Sequence, residues 1–129
     1  MSQARPTINE LLLVVQRFVA DAARSLAGQD RFHALSSAYV LGICERELRL
    51  GPGSDRAEQD CLSRFLQSPD ASLDELREEL CAKIRAGTLD ADSDAVLDML
   101  LAQSVRDVGI VKPEHLAPDH RPSGDSMRP

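Results

Sequence analysis

Three histidines, three cysteines and a short run of alternating charge are the side chains in this 129-residue chain with the chemistry to make a site. His33, His115 and His120 and Cys44, Cys61 and Cys81 are scattered. None is paired at the C-x-x-C or H-x-x-x-H type of spacing that closes a zinc centre. No G-x-x-x-x-G-K phosphate loop, G-x-G-x-x-G fingerprint or G-x-S-x-G nucleophile elbow occurs. The many Asp and Glu have the pattern of a solvated helix face. The expectation is therefore no active site of the chain's own, no metal and no cofactor. The cysteines, odd in number and far apart, read as buried free thiols in a reducing cytoplasm.

The polar group that stands out lies inside Phe32 to Pro52, FHALSSAYVLGICERELRLGP. At 3.6 residues per turn, Phe32, Leu35, Tyr39, Ile43 and Leu50 share one side of a helix, and Leu41, Cys44 and Leu48 fall nearly opposite. A helix apolar on two sides is a central one, packed on both flanks. Arg46 interrupts the Phe32 side and Glu47 lies close to it. They are either a polar site for a partner or an internal ion pair that fixes helix packing. Both are expected to be at least half buried, in the chain or in its complex, because a charge at that edge needs a partner. The remaining strip, Ala38, Gly42, Glu45 and Arg49, begins small and ends charged. Ala38 and Gly42 suit either the close approach of a partner helix or a crossing within the fold. His33 is a polar residue near the helix start or a contact residue. Arg5 is a flexible terminal charge or a clamp on a partner.

The elements that must position these residues are helices. Thr7 and Glu10 have capping-box spacing, and Ile8, Leu11, Leu12, Val15, Phe18, Val19, Ala22 and Leu26 make one stripe, so the first helix is expected over 8–27 with Gly28 closing it. The central helix follows over 32–52, stopped by Gly51-Pro52-Gly53 and packed antiparallel to the first. A third begins near Asp55 with Cys61, Leu62, Phe65 and Leu66 as its apolar side, and Ser68-Pro69-Asp70 turns the chain. A fourth runs from the Ser72/Glu75 capping box to Gly87. A fifth starts near Asp92 or Ser93, carries Leu97, Leu100, Leu101, Val105 and Val108, and ends by Pro113. No period-two alternation persists. The expected fold is all-α, a five-helix bundle over 1–111. A flexible, mostly disordered tail over 112–129 holds four of the seven prolines.

The net charge of −6, with no basic run and no Trp, argues against duplex nucleic acid as a partner. No 18-residue apolar run exists to span a membrane, and the polar start does not fit a signal peptide.

Several segments in order resemble a small bacterial domain family of formerly unknown function, encoded beside aminoglycoside-phosphotransferase-like kinases and acyl-CoA dehydrogenases. They are Arg5-Pro6-Thr7 with the helix from Glu10 to Phe18; Phe32-His33 leading to Glu45-Arg46-Glu47-Leu48 and Leu50-Gly51-Pro52; and Leu80-Cys81 with Ile84-Arg85-Ala86-Gly87. The sequence departs from the family at Leu35, where an Arg is frequent, at Tyr39, where an Asn is, and at Lys112-Pro113, where Asn-Pro is expected. The resemblance implies a cytoplasmic, non-catalytic accessory subunit. Its partner would be a kinase that phosphorylates the hydroxyl of a hydroxyacyl-CoA, with the dehydrogenase-like enzyme acting on the product. The contact residues expected are Arg5, Phe32, His33, Ala38, Gly42, Glu45, Arg46 and Glu47. Competing readings are a stand-alone helical module for an acyl-CoA or other small ligand, and a structural homodimer.

Overall fold

The computed structural model describes residues 4–122. Among them the chain is all-α, with four α-helices and no strand. α1 is Ile8–Ala22, followed by a 3-10 turn at Ala23–Ser25; α2 is Gly28–Leu66; α3 is Leu73–Ala86; α4 is Ser93–Val111 after a 3-10 turn at Asp90–Asp92. The chain falls into two compact units, Met1–Gly51 and Pro52–Pro129, and the division lies within α2.

Four helices rather than five form because Gly51-Pro52-Gly53 does not stop the central helix. α2 runs for 39 residues with Pro52 inside it, about 58 Å of helix. Proline lacks the N–H that would bond the carbonyl four residues back, but its fixed φ is itself helical. A left-handed glycine is a common helix stop, and among the described glycines only Gly28 and Gly87 have positive φ. Gly51 instead makes room for a neighbour: a Cβ there would stand 2.6 Å from Glu47 Oε1.

Local capping chemistry forms as the sequence implies. Thr7 Oγ1 accepts from the Glu10 backbone N–H at 3.2 Å, and Glu10 Oε2 accepts from the Thr7 N–H at 2.7 Å. Ser72 and Glu75 repeat the arrangement at the start of α3. Gly87, at φ 75°, ends α3 with its N–H bonded to the Ile84 carbonyl while the Thr88 N–H reaches Lys83.

In the C-terminal unit, Leu62 and Leu66 of α2 pack on Leu76 and Leu80 of α3, with Phe65, Ala71, Leu73, Leu89 and Met99 around them. Leu76 is fully buried. α4 turns Val96 and Ile110 inward, so the stripe expected to be its buried face is only partly used: Leu97, Leu100 and Leu101 are exposed. The near part of the expected disordered tail instead forms 3-10 turns at Pro113–His115 and Pro118–His120. Leu116 anchors them, buried against Gly109, and Arg121 Nε donates to the Leu116 carbonyl at 3.1 Å. One apolar anchor with a backbone tie offsets the ordering cost of this short segment. Residues 123–129 of that expected tail lie outside the described residues.

Candidate partner-binding surface

In the N-terminal unit α1 lies against α2 with opposite chain direction, because Asn9 meets Glu45 and Gln16 meets Ala38. The seam is polar. Gln16 Nε2 donates to the Ala38 carbonyl at 3.0 Å, and a Cβ on Gly42 would stand 2.7 Å from the same nitrogen. Ala38 and Gly42 therefore face α1: the small strip is where the two helices approach closely, and a larger residue at 42 would displace Gln16.

Glu45 is the buried charge of this stretch, 6% exposed. Arg49 Nε donates to its Oε1 at 2.8 Å, one helical turn on. Asn9 Nδ2 donates to the Glu45 backbone carbonyl at 3.0 Å and to Oε1 at 3.4 Å. The Arg49 hydrogen bond holds the Glu45 carboxyl below its ordinary range. Burial opposes this, while the charge of Arg49, the Asn9 amide and the charge of Arg46 add to it. Glu45 thus locks the start of α1 to the middle of α2.

The charges singled out in the sequence sit differently. Arg46 is more than half buried, as expected. Glu47 is exposed in this chain, folded over Gly51. Its position on α2 points it away from the α1 seam, and a glycine one turn on lets its carboxylate lie along the helix surface in water. Phe32 is 66% exposed and meets the His33 ring edge-to-face, with centroids 5.9 Å apart. His33 is also exposed. Arg5 Nη1 bonds Glu10 Oε1 at 3.2 Å, and its side chain is otherwise in solvent. Leu35 and Tyr39, the positions that depart from the resembled family, are both exposed.

These eight residues do not converge on one site. Ala38, Gly42 and Glu45 belong to the α1 seam. Phe32 and His33 lie about 20 Å along α2 from Glu45. Sequence reasoning missed Asn9 and Gln16, the α1 residues that complete the seam. Their signal was available: two amides seven residues apart on one side of α1, with Glu10, Arg17 and Asp21 on another.

Elsewhere the polar groups are tied to each other. Arg77 makes a two-pronged pair with Glu58, at 2.9 and 2.7 Å, and Glu58 keeps its guanidinium well above the ordinary value, helped by Asp55 and Asp74 against the cost of burial. Cys44 and Cys81 are exposed and Cys61 is partly buried, so the expectation of buried thiols is corrected. Cys44 and Cys81 sit on helix faces that no neighbouring helix covers. A cavity beside Leu62, Leu80 and Met99 has about 40 Å³, far below the ~300 Å³ at which small-ligand sites begin. Among the described residues no group of three or more His, Cys, Asp or Glu is placed to hold a metal ion. No helix there is long and apolar enough to cross a membrane.

The apolar surface is the feature left over. Among the described residues nine hydrophobic side chains are buried and eighteen large ones are exposed. Scattered exposed leucines are ordinary, but contiguous ones mark an interaction surface. On α1 they follow helical spacing through Ile8, Leu11, Val15 and Phe18, and on α2 through Phe32, Leu35 and Tyr39.

No curated protein and no solved structure matches this sequence. Residues 24–115, more than two thirds of the chain, match a domain of unknown function, DUF6285. This span takes in α2, α3 and α4, the helices that carry the core and the Phe32–Glu47 stretch, and the chain belongs to that family.

Proposed function

We propose that this chain is a non-catalytic accessory subunit. It binds, and stabilises or activates, a phosphotransferase-family kinase acting on hydroxyacyl-CoA in hydroxyacid catabolism. The observation that carries the reading is the excess of exposed over buried large apolar side chains, which suits a subunit finished by a larger partner. The kinase identity rests on the family resemblance of the segments 5–18, 32–52 and 80–87.

Of the expected contact residues, Phe32, His33, Glu47 and Arg5 are the ones on the surface, and the kinase contact is assigned to them. Ala38, Gly42 and Glu45 act behind that surface by holding α1 on α2. The small-ligand reading has less support, since the core cavity of about 40 Å³ would not admit an acyl-CoA and the hollow of about 260 Å³ beside Arg77, Cys81 and Arg85 is lined by one helix alone.

Co-expression with a phosphotransferase-family kinase of the kind encoded beside the resembled family tests the proposal. The expected result is a complex that survives gel filtration, with higher kinase activity on a hydroxyacyl-CoA than the kinase has alone. Phe32→Ala should weaken that complex about tenfold or more, as for an exposed aromatic anchor. Separate elution together with unchanged kinase activity would sink it.

A further inference from the structure

The exposed stripe of α1 is a second surface, separate from Phe32 and His33. Phe18 and Val14 are 73% and 62% exposed, and Ile8, Leu11 and Val15 beside them are exposed too. On a helical wheel these five fall within about a third of the circumference, and no charged residue falls inside that arc. α1 lies before residue 24, outside the matched family span.

The charges at the edge of the stripe identify an occupant. Glu10 and Arg17 lie on the same edge, seven residues and about 10 Å apart along the helix. Asp21, also on that edge, pairs with Arg24 at 3.9 Å. A second α1 laid parallel about a two-fold axis would set this edge against the opposite edge of its partner, which carries Leu12 and Val19 and no charge, so Glu10 and Arg17 would meet no opposite charge. A second α1 laid antiparallel about a two-fold axis sets Glu10 of each copy against Arg17 of the other, twice by symmetry. In that register Val14 falls at the crossing, and Phe18 of one copy falls beside Ile8 and Leu11 of the second. We infer that α1 is the interface of an antiparallel two-fold homodimer, with Phe18 and Val14 at its centre and reciprocal Glu10–Arg17 pairs at its edge.

The size of the face sets the strength. A 15-residue helix is about 22 Å long. Two such helices cover roughly half of the ~800 Å² per partner of a standard interface. The dimer is therefore weak, with a Kd on the order of micromolar.

Sedimentation equilibrium of the full chain tests this. The expected mass is twice 14.1 kDa at concentrations on the order of 100 µM, with dissociation on dilution. Phe18→Ala should weaken association about 100-fold. Arg17→Glu makes both edge pairs repulsive and should weaken it about tenfold. Glu10→Lys does the same with opposite sign, and an equimolar mixture of the two charge variants should recover the dimer, because both cross pairs are again opposite. Circular dichroism of each variant separates lost association from lost folding, which matters for Glu10→Lys because it breaks the α1 capping box. A wild-type chain that stays monomeric at that concentration would overturn the inference. So would a dimer indifferent to both Phe18→Ala and Arg17→Glu. Failure of two folded charge variants to recover each other would overturn the antiparallel register.

Discussion

The two units solve the same packing problem in opposite ways. In the C-terminal unit leucines from α2 and α3 meet at the centre, the Lys83–Glu79 pair lies partly in solvent, and the Arg77–Glu58 pair sits beside the core with Glu58 largely covered. In the N-terminal unit the amides of Asn9 and Gln16 and the carboxylate of Glu45 lie in the seam between α1 and α2, and Leu11, Val14, Val15 and Phe18 of α1 face outward. An apolar interior is held by burial, which is strong and non-directional. A polar seam is held by hydrogen bonds that contribute about 1 kcal/mol each but fix position closely. The N-terminal unit is thus held by bonds that fix position, and the C-terminal unit by burial.

If that contrast is right, the largest effect belongs to the apolar side. Leu76→Ala should destabilise the chain by about 2–5 kcal/mol, the range for emptying a fully buried leucine site. Urea denaturation checks it, and a loss under ~1 kcal/mol would mean that the C-terminal core is not the main support.

Next comes bulk in the seam. Gly42→Leu should cost about 1–3 kcal/mol, because its side chain must displace Gln16 and part α1 from α2. Unchanged melting of Gly42→Leu would show that α1 does not press on Gly42.

The seam charge should give a smaller effect with a pH signature that the leucine core lacks. The folded carboxyl of Glu45 is held below its ordinary 4.5. Its stabilising contribution is therefore complete above about that pH and is lost as pH falls through the folded value below it. Glu45→Gln should cost about 1 kcal/mol at neutral pH, one charge-assisted bond to a partly exposed arginine. It should also flatten the acid limb of the stability curve in that window. Equal acid dependence in wild type and variant would remove Glu45 from this role.

The smallest effect should come from the outward leucines. Leu101→Gln on α4 should change the stability of the isolated chain by no more than about 0.5 kcal/mol, as for surface substitutions generally. A loss of several times that would place Leu101 inside a core and weaken the contrast between the units.

What was legible in the sequence is what depends on near neighbours. The starts of α1 and α3 at Thr7 and Ser72 and the left-handed stop at Gly87 could be read directly. Their hydrogen bonds span three to five residues, so residue type and spacing specify them. The all-helical class followed from the same caps and from the lack of alternation. The direction of each apolar stripe did not follow. A stripe at helical spacing reads the same whether it faces a core or the surface, and α1 took its polar side inward because Asn9 and Gln16 find partners 36 and 22 residues away. The Gly51-Pro52-Gly53 stop misread the helix for a related reason: these residues permit a break without requiring one, and the chain continued helical through them. Glu45 was placed on a strip with Arg49 but not recognised as the buried charge, since burial depends on α1 lying across it. The sequence alone therefore determined three helix termini, the starts of α1 and α3 and the end of α3. Tertiary structure decided which sides meet, because burial is set by residues distant in the chain and no local pattern encodes that distance.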